Sequence, residues 1–114
     1  MSRALGAQAE ARAAQFLQRK GYRVLDRNWC CRGGEIDLVC EDGGTIVFVE
    51  VRARQDARHG TPGETVGSVK RRRLIRAAEL WLVKAKRGDV PCRFDVLTLE
   101  GDNIEHFEDA FTTE

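Results

Sequence analysis

The sequence lacks the features that mark membrane, secreted and zinc-binding proteins. None of its apolar runs approaches the length of a membrane-spanning helix, and its N-terminal segment has no hydrophobic region of the secretory type. The four cysteines form no C-x-x-C pair, and neither histidine lies at zinc-ligand spacing from them. We therefore expect a cytoplasmic protein with no membrane partner, in which Cys40 and Cys92 serve as small apolar core residues.

The charge of the chain is nearly balanced overall but not along its length. The formal net charge is +1, and the 114 residues suit one domain with one core. Residues 52–87 carry 11 Lys or Arg and 3 acids, whereas residues 88–114 carry 1 base and 8 acids. A basic block of this kind can meet a phosphate backbone. Pairing between the two blocks, or solvation of both, explains the pattern equally well.

The hydrophobic periodicity predicts the order α-β-β-β-α-β-β, an α/β domain with a mixed sheet of about five strands flanked by helices. The predicted helices cover 6–20 and about 66–86, and Gly21 is placed to end the first of them. The predicted strands cover 22–28, 35–41, 46–54, 92–99 and 103–107. The predicted inner residues of the first helix are Ala7, Ala11, Ala14 and Leu17, with Ala13 and Phe16 widening the stripe. Those of the second helix are Val66, Val69, Leu74, Ala77, Ala78, Trp81 and Leu82.

The stretch GGEIDLVCEDGGTIVFVEVRAR, residues 33–54, predicts a β-hairpin. A two-residue glycine loop between β-branched runs is a strong hairpin signal. Both faces of the second arm are apolar through its middle, which is typical of a central strand covered on both sides.

The hairpin register brings two carboxylates together. With Gly43 and Gly44 as the loop, Asp37 lies opposite Glu50 on one face. Opposed carboxylates repel each other, and a divalent metal with oxygen ligands is the natural compensating cation. A slip of one residue would instead place Asp37 diagonal to Glu50 or on the other face.

These residues are the parts of a metal-dependent phosphodiesterase. Glu50 and Arg52 are two positions apart on one strand and so point the same way. A metal held by Asp37 and Glu50 would activate water and neutralise charge on a phosphodiester. Arg52 would bind a phosphate oxygen or stabilise the transition state.

Each helix adds a candidate group. Glu10 sits on or beside the buried stripe of the first helix, where it is either a solvated flank residue or points into the carboxylate face of the sheet. The first half of the second helix is crowded with basic residues, namely Lys70, Arg71, Arg72, Arg73 and Arg76. Basic residues near a helix N-terminus oppose the macrodipole, so this cluster favours a nearby anion.

The pattern D-x(12)-E-x-[K/R], after a helix that bears a glutamate, resembles the restriction-endonuclease-like, PD-(D/E)xK superfamily, and within it the archaeal Holliday-junction resolvases. More closely, the chain resembles the YraN-like family of small bacterial proteins. That resemblance runs from about residue 6 to 111 and rests on GYRVLDRN, GEIDLV, VFVEVRAR, HGTPGE, RFDVL, Glu10, Lys70 and the final Ala110-Phe111. It implies a single nuclease-like domain over 1–114 with a restriction-endonuclease-like core.

The resemblance also implies roles for individual residues. It assigns a Mg²⁺ or Mn²⁺ site to Glu10, Asp37, Glu50 and the Val51 carbonyl. The superfamily's catalytic lysine falls on Arg52, which stays charged and cannot act as a general base. Lys70 is therefore a candidate for the missing ammonium. The predicted catalytic residues are Asp37, Glu50, Arg52 and Lys70, and the predicted nucleic-acid-binding residues are Arg52, Arg54, Lys70, Arg71, Arg72 and Arg73.

Three functions fit this pattern. The first is a Mg²⁺- or Mn²⁺-dependent nuclease acting on DNA, including branched DNA, and the analogy with resolvases suggests a homodimer. The second is a nucleic-acid-binding protein that keeps the fold without turnover, which the arginine at position 52 favours. The third is an interaction module whose carboxylates form a structural ion-pair network, with Glu35 opposite Arg52.

Overall fold

A five-stranded mixed sheet separates two helices, one packed on each face. The computed structural model describes residues 3–53 and 67–112. Its elements, in chain order, are α1 (Arg3–Arg19), β1 (Arg23–Cys31), β2 (Gly34–Asp42), β3 (Thr45–Ala53), α2 (Ser68–Lys84), β4 (Cys92–Glu100) and β5 (Asn103–Phe111). The predicted order of elements is confirmed. In the described part of the chain, neither helix has the length and apolar character needed to cross a membrane.

The strands lie in sequence order across the sheet, β1-β2-β3-β4-β5. Only β3 and β4 are parallel, because α2 crosses over between them, and the other neighbours are antiparallel. The β2–β3 turn has positive φ at both Gly43 and Gly44, as a two-residue hairpin loop requires. Val39 pairs with Phe48, so the predicted hairpin register is confirmed over the paired part of the two strands.

The central strand β3 is buried on both faces, as its sequence predicts. Val47, Val49 and Val51 pack with α1 in one core cluster, whereas Ile46 and Phe48 pack with α2 in the other. This two-sided burial holds both helices in fixed positions over the middle of the sheet.

The face that α1 buries matches the predicted one at Ala13, Ala14 and Leu17 but not at Ala7 and Ala11, and the predicted Phe16 is half-buried against the core. Ala9, Ala13, Ala14 and Leu17 are buried, while Ala7 and Ala11 are exposed. The helix ends at Arg19, and Gly21 follows in the turn with φ +95°, as predicted for the residue that stops it. The Tyr22 N–H closes this end by donating to the Leu17 carbonyl at 3.0 Å. Because alanine occurs on several sides of this helix, its spacing could fix only in part which side faces the sheet.

Helix α2 buries Leu74, Ala77, Ala78 and Trp81 on the opposite face of the sheet. Val69, predicted to be an inner residue, is 51% exposed because it lies in the first turn, ahead of the buried stripe. Val66, the remaining predicted start of the stripe, lies outside the described residues.

The sheet forks between β2 and β3. Their ladder ends at the pair Leu38 and Val49, whereas β2 stays paired with β1 as far as Gly34 and β3 stays paired with β4 as far as Ala53. In the fork, the Val51 N–H donates to the Asp37 carboxylate at 2.8 Å instead of to a β2 carbonyl. The fork opens the sheet at the two predicted carboxylates.

Candidate functional site

The predicted carboxylates gather in the fork, and each helix contributes one further side chain. Asp37 projects from β2 and Glu50 from β3, and their carboxyl groups lie within hydrogen-bonding reach of each other. Glu10 comes from α1 and Lys70 from α2. We call these four residues the fork cluster.

Glu50 is the most deeply buried member of the fork cluster. It is only 4% exposed, and its Oε2 has no hydrogen-bond donor among the described residues. Burial, together with the hydrogen bond and the charge of Asp37, raises the pKa of Glu50 to about 8, while Lys70 acts in the opposite direction. A bound cation would stabilise the ionised form of such a buried carboxylate.

Lys70 supplies a cation from α2. Its Nζ lies 3.1 Å from Glu50 Oε2, although the geometry is that of an ion pair and not of a hydrogen bond. The Lys70 side chain is 43% exposed, so its ammonium keeps contact with solvent. Lys70 can therefore leave Glu50 for another anion without becoming buried.

Glu10 reaches the cluster from the opposite face of the sheet. Its carboxyl group lies near the side chains of Asn28 and Asp37, both of which influence its pKa. Burial raises the pKa of Glu10, and the charges of Asp37 and Glu35 add to this effect. Of the two readings of Glu10, the structure therefore supports the one in which it points towards the carboxylates. Asn28 was not predicted, but its φ of +50° is a conformation that asparagine tolerates better than most residues.

The carboxylates of the cluster form a row, with Glu10 beside Asp37 and Asp37 beside Glu50. In residues 3–53 and 67–112, no three His, Cys, Asp or Glu side chains already surround one common ion position. The buried oxygen of Glu50 that lacks a donor is nevertheless the kind of ligand that Mg²⁺ and Mn²⁺ take, and Asp37 lies next to it.

Arg52 follows on the same face of β3 and is half-buried. Its Nε is buried and has no hydrogen-bond partner among the described residues. The expected opposition of Glu35 and Arg52 does not occur, since the β2–β3 ladder has already ended and Glu35 pairs with Cys30 of β1 instead. No ion pair joins Glu35 to Arg52.

The basic residues of α2 lie beside the fork cluster. Arg72 and Arg73 are exposed and Arg71 is half-buried, whereas Arg54 falls outside the described residues. Among the residues that the structure describes, no ion pair links the basic block to the acidic block. Arg87, for example, pairs with Glu41 of β2 at 3.4 Å. The basic face of α2 thus does not serve to neutralise the acidic C-terminal block there.

A pocket of about 430 Å³ adjoins the cluster, and the sequence alone gave no sign of it. One wall is the end of the β1–β2 hairpin, with Cys30, Cys31, Gly33, Gly34 and Glu35. The other wall is the start of α2, with Lys70, Arg73 and Leu74. Lys70 belongs to both the pocket and the fork cluster.

A second polar network, also unpredicted, lies between β4 and β5. Asp95 is fully buried and accepts hydrogen bonds from the Arg93 guanidinium, the Asp109 N–H and the His106 ring. The Lys20 ammonium lies 2.8 Å from the other ring nitrogen of His106. This arrangement satisfies the polar atoms of Asp95 internally, which is typical of a structural network.

Comparison with known proteins identifies the family. The model of the family described as "Uncharacterised protein family UPF0102" matches residues 9–99. The chain belongs to this family. The UPF0102 protein STH1475 of Symbiobacterium thermophilum is 51% identical over 100 residues, which cover 88% of this chain and 85% of that protein.

Other members of the family are nearly as similar. A UPF0102 protein of Geobacter metallireducens is 43% identical over 96% of this chain and 93% of its own length. The UPF0102 protein GSU0650 of Geobacter sulfurreducens is 44% identical over 94% of this chain and 88% of its own length. These names specify no activity, so the relation to the nuclease superfamily stays a prediction.

Proposed function

We propose that the protein is a metal-dependent nuclease that hydrolyses phosphodiester bonds in DNA, including branched DNA. The observation that carries the proposal is Glu50, whose buried Oε2 lacks a hydrogen-bond donor beside the carboxylate of Asp37. Lys70 offers one half-exposed cation to two neighbouring carboxylates, so the cost of burying this pair of acids is only partly offset.

The residues of the fork suit a Mg²⁺ or Mn²⁺ ion. Asp37 and Glu50 would hold it, with Glu10 and the Val51 carbonyl as further oxygen ligands. When bound, the ion would activate water and neutralise charge on the phosphate. Asp37 already hydrogen-bonds to the Val51 N–H at 2.8 Å, which fixes its carboxylate at the mouth of the fork.

Two cations of the chain complete the proposed site. Arg52 extends from β3 next to Glu50, and its guanidinium is suited to hold a phosphate oxygen in two hydrogen bonds. Lys70 carries the only ammonium of the fork cluster, 3.1 Å from Glu50. It would bind a phosphate oxygen or donate a proton to the leaving oxygen, a role that Arg52 cannot fill because its guanidinium does not release a proton.

The main alternative is a nucleic-acid-binding protein with weak or no turnover. The Lys70–Glu50 ion pair favours it, because the ammonium already supplies a cation to the buried carboxylate. In that case Lys70 and the basic face of α2 would bind phosphates without hydrolysis.

Cleavage of linear, flapped and four-way DNA with Mg²⁺ or Mn²⁺ separates the two functions. We expect the wild type to cleave at least one of these substrates, and Asp37→Asn to abolish cleavage while retaining binding. Asp102→Asn, in the exposed turn after β4, is the matched control. Salt-dependent binding of all three substrates without any cleavage would favour the alternative.

Metal binding is measured separately by thermal melting. Mg²⁺ should raise the melting temperature of the wild type, because a ligand that binds only the folded state stabilises it. The shift should disappear in Asp37→Asn and persist in Asp102→Asn. An unchanged melting temperature of the wild type at millimolar Mg²⁺ and Mn²⁺ would contradict the proposed metal site.

A further inference from the structure

Apart from Lys70, which it shares with the fork cluster, the pocket beside that cluster has no part in the chemistry proposed above. We infer that it binds one unpaired nucleotide of the substrate strand, with the phosphate against Lys70 and Arg73 and the base against the wall formed by Gly33 and Gly34. This inference rests on the proposed function, and it narrows the substrate to strands with unpaired nucleotides, as occur at ends, flaps and junctions.

Gly33 and Gly34 let the hairpin end approach α2 closely. A Cβ atom built on Gly34 would lie 2.5 Å from the Arg73 carbonyl oxygen, so the hairpin end packs directly against the backbone of α2. Gly33 has φ +93°, and a Cβ there would be 3.7 Å from the Arg76 side chain. Both glycines also line the pocket, where they can present only backbone atoms to a bound base.

The charge of the helix wall suits a phosphate. Lys70 and Arg73 are three positions apart and so lie on the same side of α2. The first turn of α2 has no acidic residue. The N-cap residue is Gly67, which has no side chain to accept hydrogen bonds from the first N–H groups of the helix. Those N–H groups add positive potential to that of the two side chains.

The position of Lys70 links the pocket to the cluster. Its Nζ contacts Glu50 at 3.1 Å while its side chain lines the pocket. A phosphate bound by Lys70 therefore lies next to the carboxylates of the fork. The nucleotide in the pocket would adjoin the phosphodiester bond that is hydrolysed at the fork cluster.

Glu35 supplies an acceptor for the base. It lies on the hairpin wall, and the one hydrogen-bond contact it makes among the described residues is a long one of 3.9 Å to Cys30 Sγ. A carboxylate accepts from the amino group of cytosine, so Glu35 would favour a base that offers such a donor.

The size of the pocket limits its occupant to one nucleotide. A volume of about 430 Å³ lies towards the lower end of the range of small-molecule sites. Paired bases are stacked inside a duplex, and reaching a pocket of this kind requires them to leave the stack at a cost of a few kcal/mol. An unpaired nucleotide avoids that cost.

Protection of Cys30 from alkylation tests the inference. Cys30 is exposed and lines the pocket. Cys92 was predicted as a core residue, which is wrong, because it is exposed at the start of β4, outside the pocket. Iodoacetamide labelling of each thiol is followed by mass spectrometry, with and without dCMP. This nucleotide contains no phosphodiester bond, so Mg²⁺ can be included or left out.

We expect dCMP to slow the labelling of Cys30 several-fold and to leave Cys92 unchanged. Deoxycytidine and inorganic phosphate should each protect less, because each occupies only part of the pocket. Equal protection of both thiols, or protection of neither, would overturn the inference. Since each thiol is compared with itself, the raised pKa of Cys92, caused by its burial, does not affect the comparison.

Matched variants locate the phosphate. Arg73→Ala should reduce the protection by dCMP several-fold, because the variant removes the side chain but keeps the carbonyl that packs against Gly34. Lys84→Ala removes one positive charge from the exposed far end of the same helix, outside the pocket, and should have no effect. Equal effects of the two variants would assign the binding to general charge and refute the pocket.

The failure of the inference can be told apart from the failure of the proposed function. Cleavage of DNA with no protection of Cys30 by dCMP or by a short single strand would refute the pocket and leave the nuclease standing. Protection of Cys30 without cleavage of any substrate would support the pocket and refute the hydrolytic activity.

Discussion

Glu50 is a carboxylic acid that is almost completely buried. Its protonation state depends on the groups around it. Asp37 lies beside it as a second acid, and Lys70 is the cation in contact with it. Acidic residues are almost never fully buried unless they are paired. At the scale of single residues, the protein therefore keeps a group in its core that lowers its stability, as functional sites commonly do.

Glu50→Gln should stabilise the metal-free protein at neutral pH. The raised pKa means that the folded state holds this proton more tightly than the unfolded state, so stability present below pH about 4.5 is lost as pH rises through about 8. We expect the variant to gain on the order of 1–2 kcal/mol at pH 8. Its advantage should vanish at acid pH.

Urea unfolding in EDTA across this pH range measures the effect. Glu79→Gln, on the exposed side of α2, is the control and should behave like the wild type. A Glu50→Gln variant that is less stable than the wild type at pH 8 would mean that the Lys70 ion pair outweighs the cost of burial.

Lys70→Met should tighten metal binding, since the ammonium and a divalent ion seek the same Glu50 oxygen. A half-exposed ion pair contributes up to roughly 1 kcal/mol, so we expect Mn²⁺ affinity to rise about fivefold. Isothermal titration with Mn²⁺ measures it, and Arg72→Met removes the same charge at a distance from Glu50. Weaker binding in Lys70→Met than in Arg72→Met would contradict this competition.

At the scale of whole elements, α2 carries the positive charge and α1 carries Glu10. Both helices are fixed by packing on β3, so the sheet sets how far their polar residues extend into the fork. The face of α1 was predictable only in part, because alanine at positions 7, 9, 11, 13 and 14 gives little contrast between its sides. In α2, by contrast, Leu74 and Trp81 stand out against basic neighbours, and its inner side was largely predicted.

Replacing Arg71, Arg72 and Arg73 together by alanine should weaken DNA binding and flatten its dependence on salt. Each lost phosphate contact reduces the slope of log K against log salt by about 0.9 for a duplex, so the change should be at most about three contacts' worth. Fluorescence anisotropy at several salt concentrations measures the slope. An unchanged slope would remove this helix from the DNA surface.

At the scale of the whole molecule, the network around Asp95 joins distant parts of the chain. Arg93 connects Asp95 to Tyr22 and Glu108, while His106 connects it to Lys20 at the end of α1. Burial alone would raise the pKa of Asp95, but the His106 ring, the Asp109 N–H and Arg93 outweigh it and lower the pKa. The carboxylate is thus favoured in the folded state.

Asp95→Asn should destabilise the fold by about 3–5 kcal/mol, because it removes one partner of a buried charge network. The sign of the pH effect is opposite to that at Glu50. The contribution of Asp95 is present above its unfolded pKa and is lost as pH falls through the lower folded pKa. The deficit of the variant should therefore shrink in acid.

Thermal unfolding between pH 7 and pH 3 checks this expectation, with the exposed Asp102→Asn as the control. If the variant's loss of stability is the same at every pH, then Asp95 stabilises the fold through its shape and not through its charge. The test does not involve the fork, so metal should leave it unchanged.

The amino-acid pattern was sufficient to predict the order of the elements, the central position of β3 and the β-hairpin with its register. These follow from local physics, namely the period of the apolar residues and the glycine loop. The register also placed Asp37 beside Glu50, and the spacing marked Glu10 and Lys70 as candidates to join them.

How these residues meet depends on contacts between elements. The fork in the sheet, the Lys70–Glu50 ion pair and the pocket arise where β1, β2, β3 and α2 come together, at positions far apart in the chain. The Asp95 network likewise draws on the turn between α1 and β1, on β4 and on β5. Contacts of this kind depend on how the packed elements lie against one another. The residue pattern of a single strand or helix does not specify this relative arrangement.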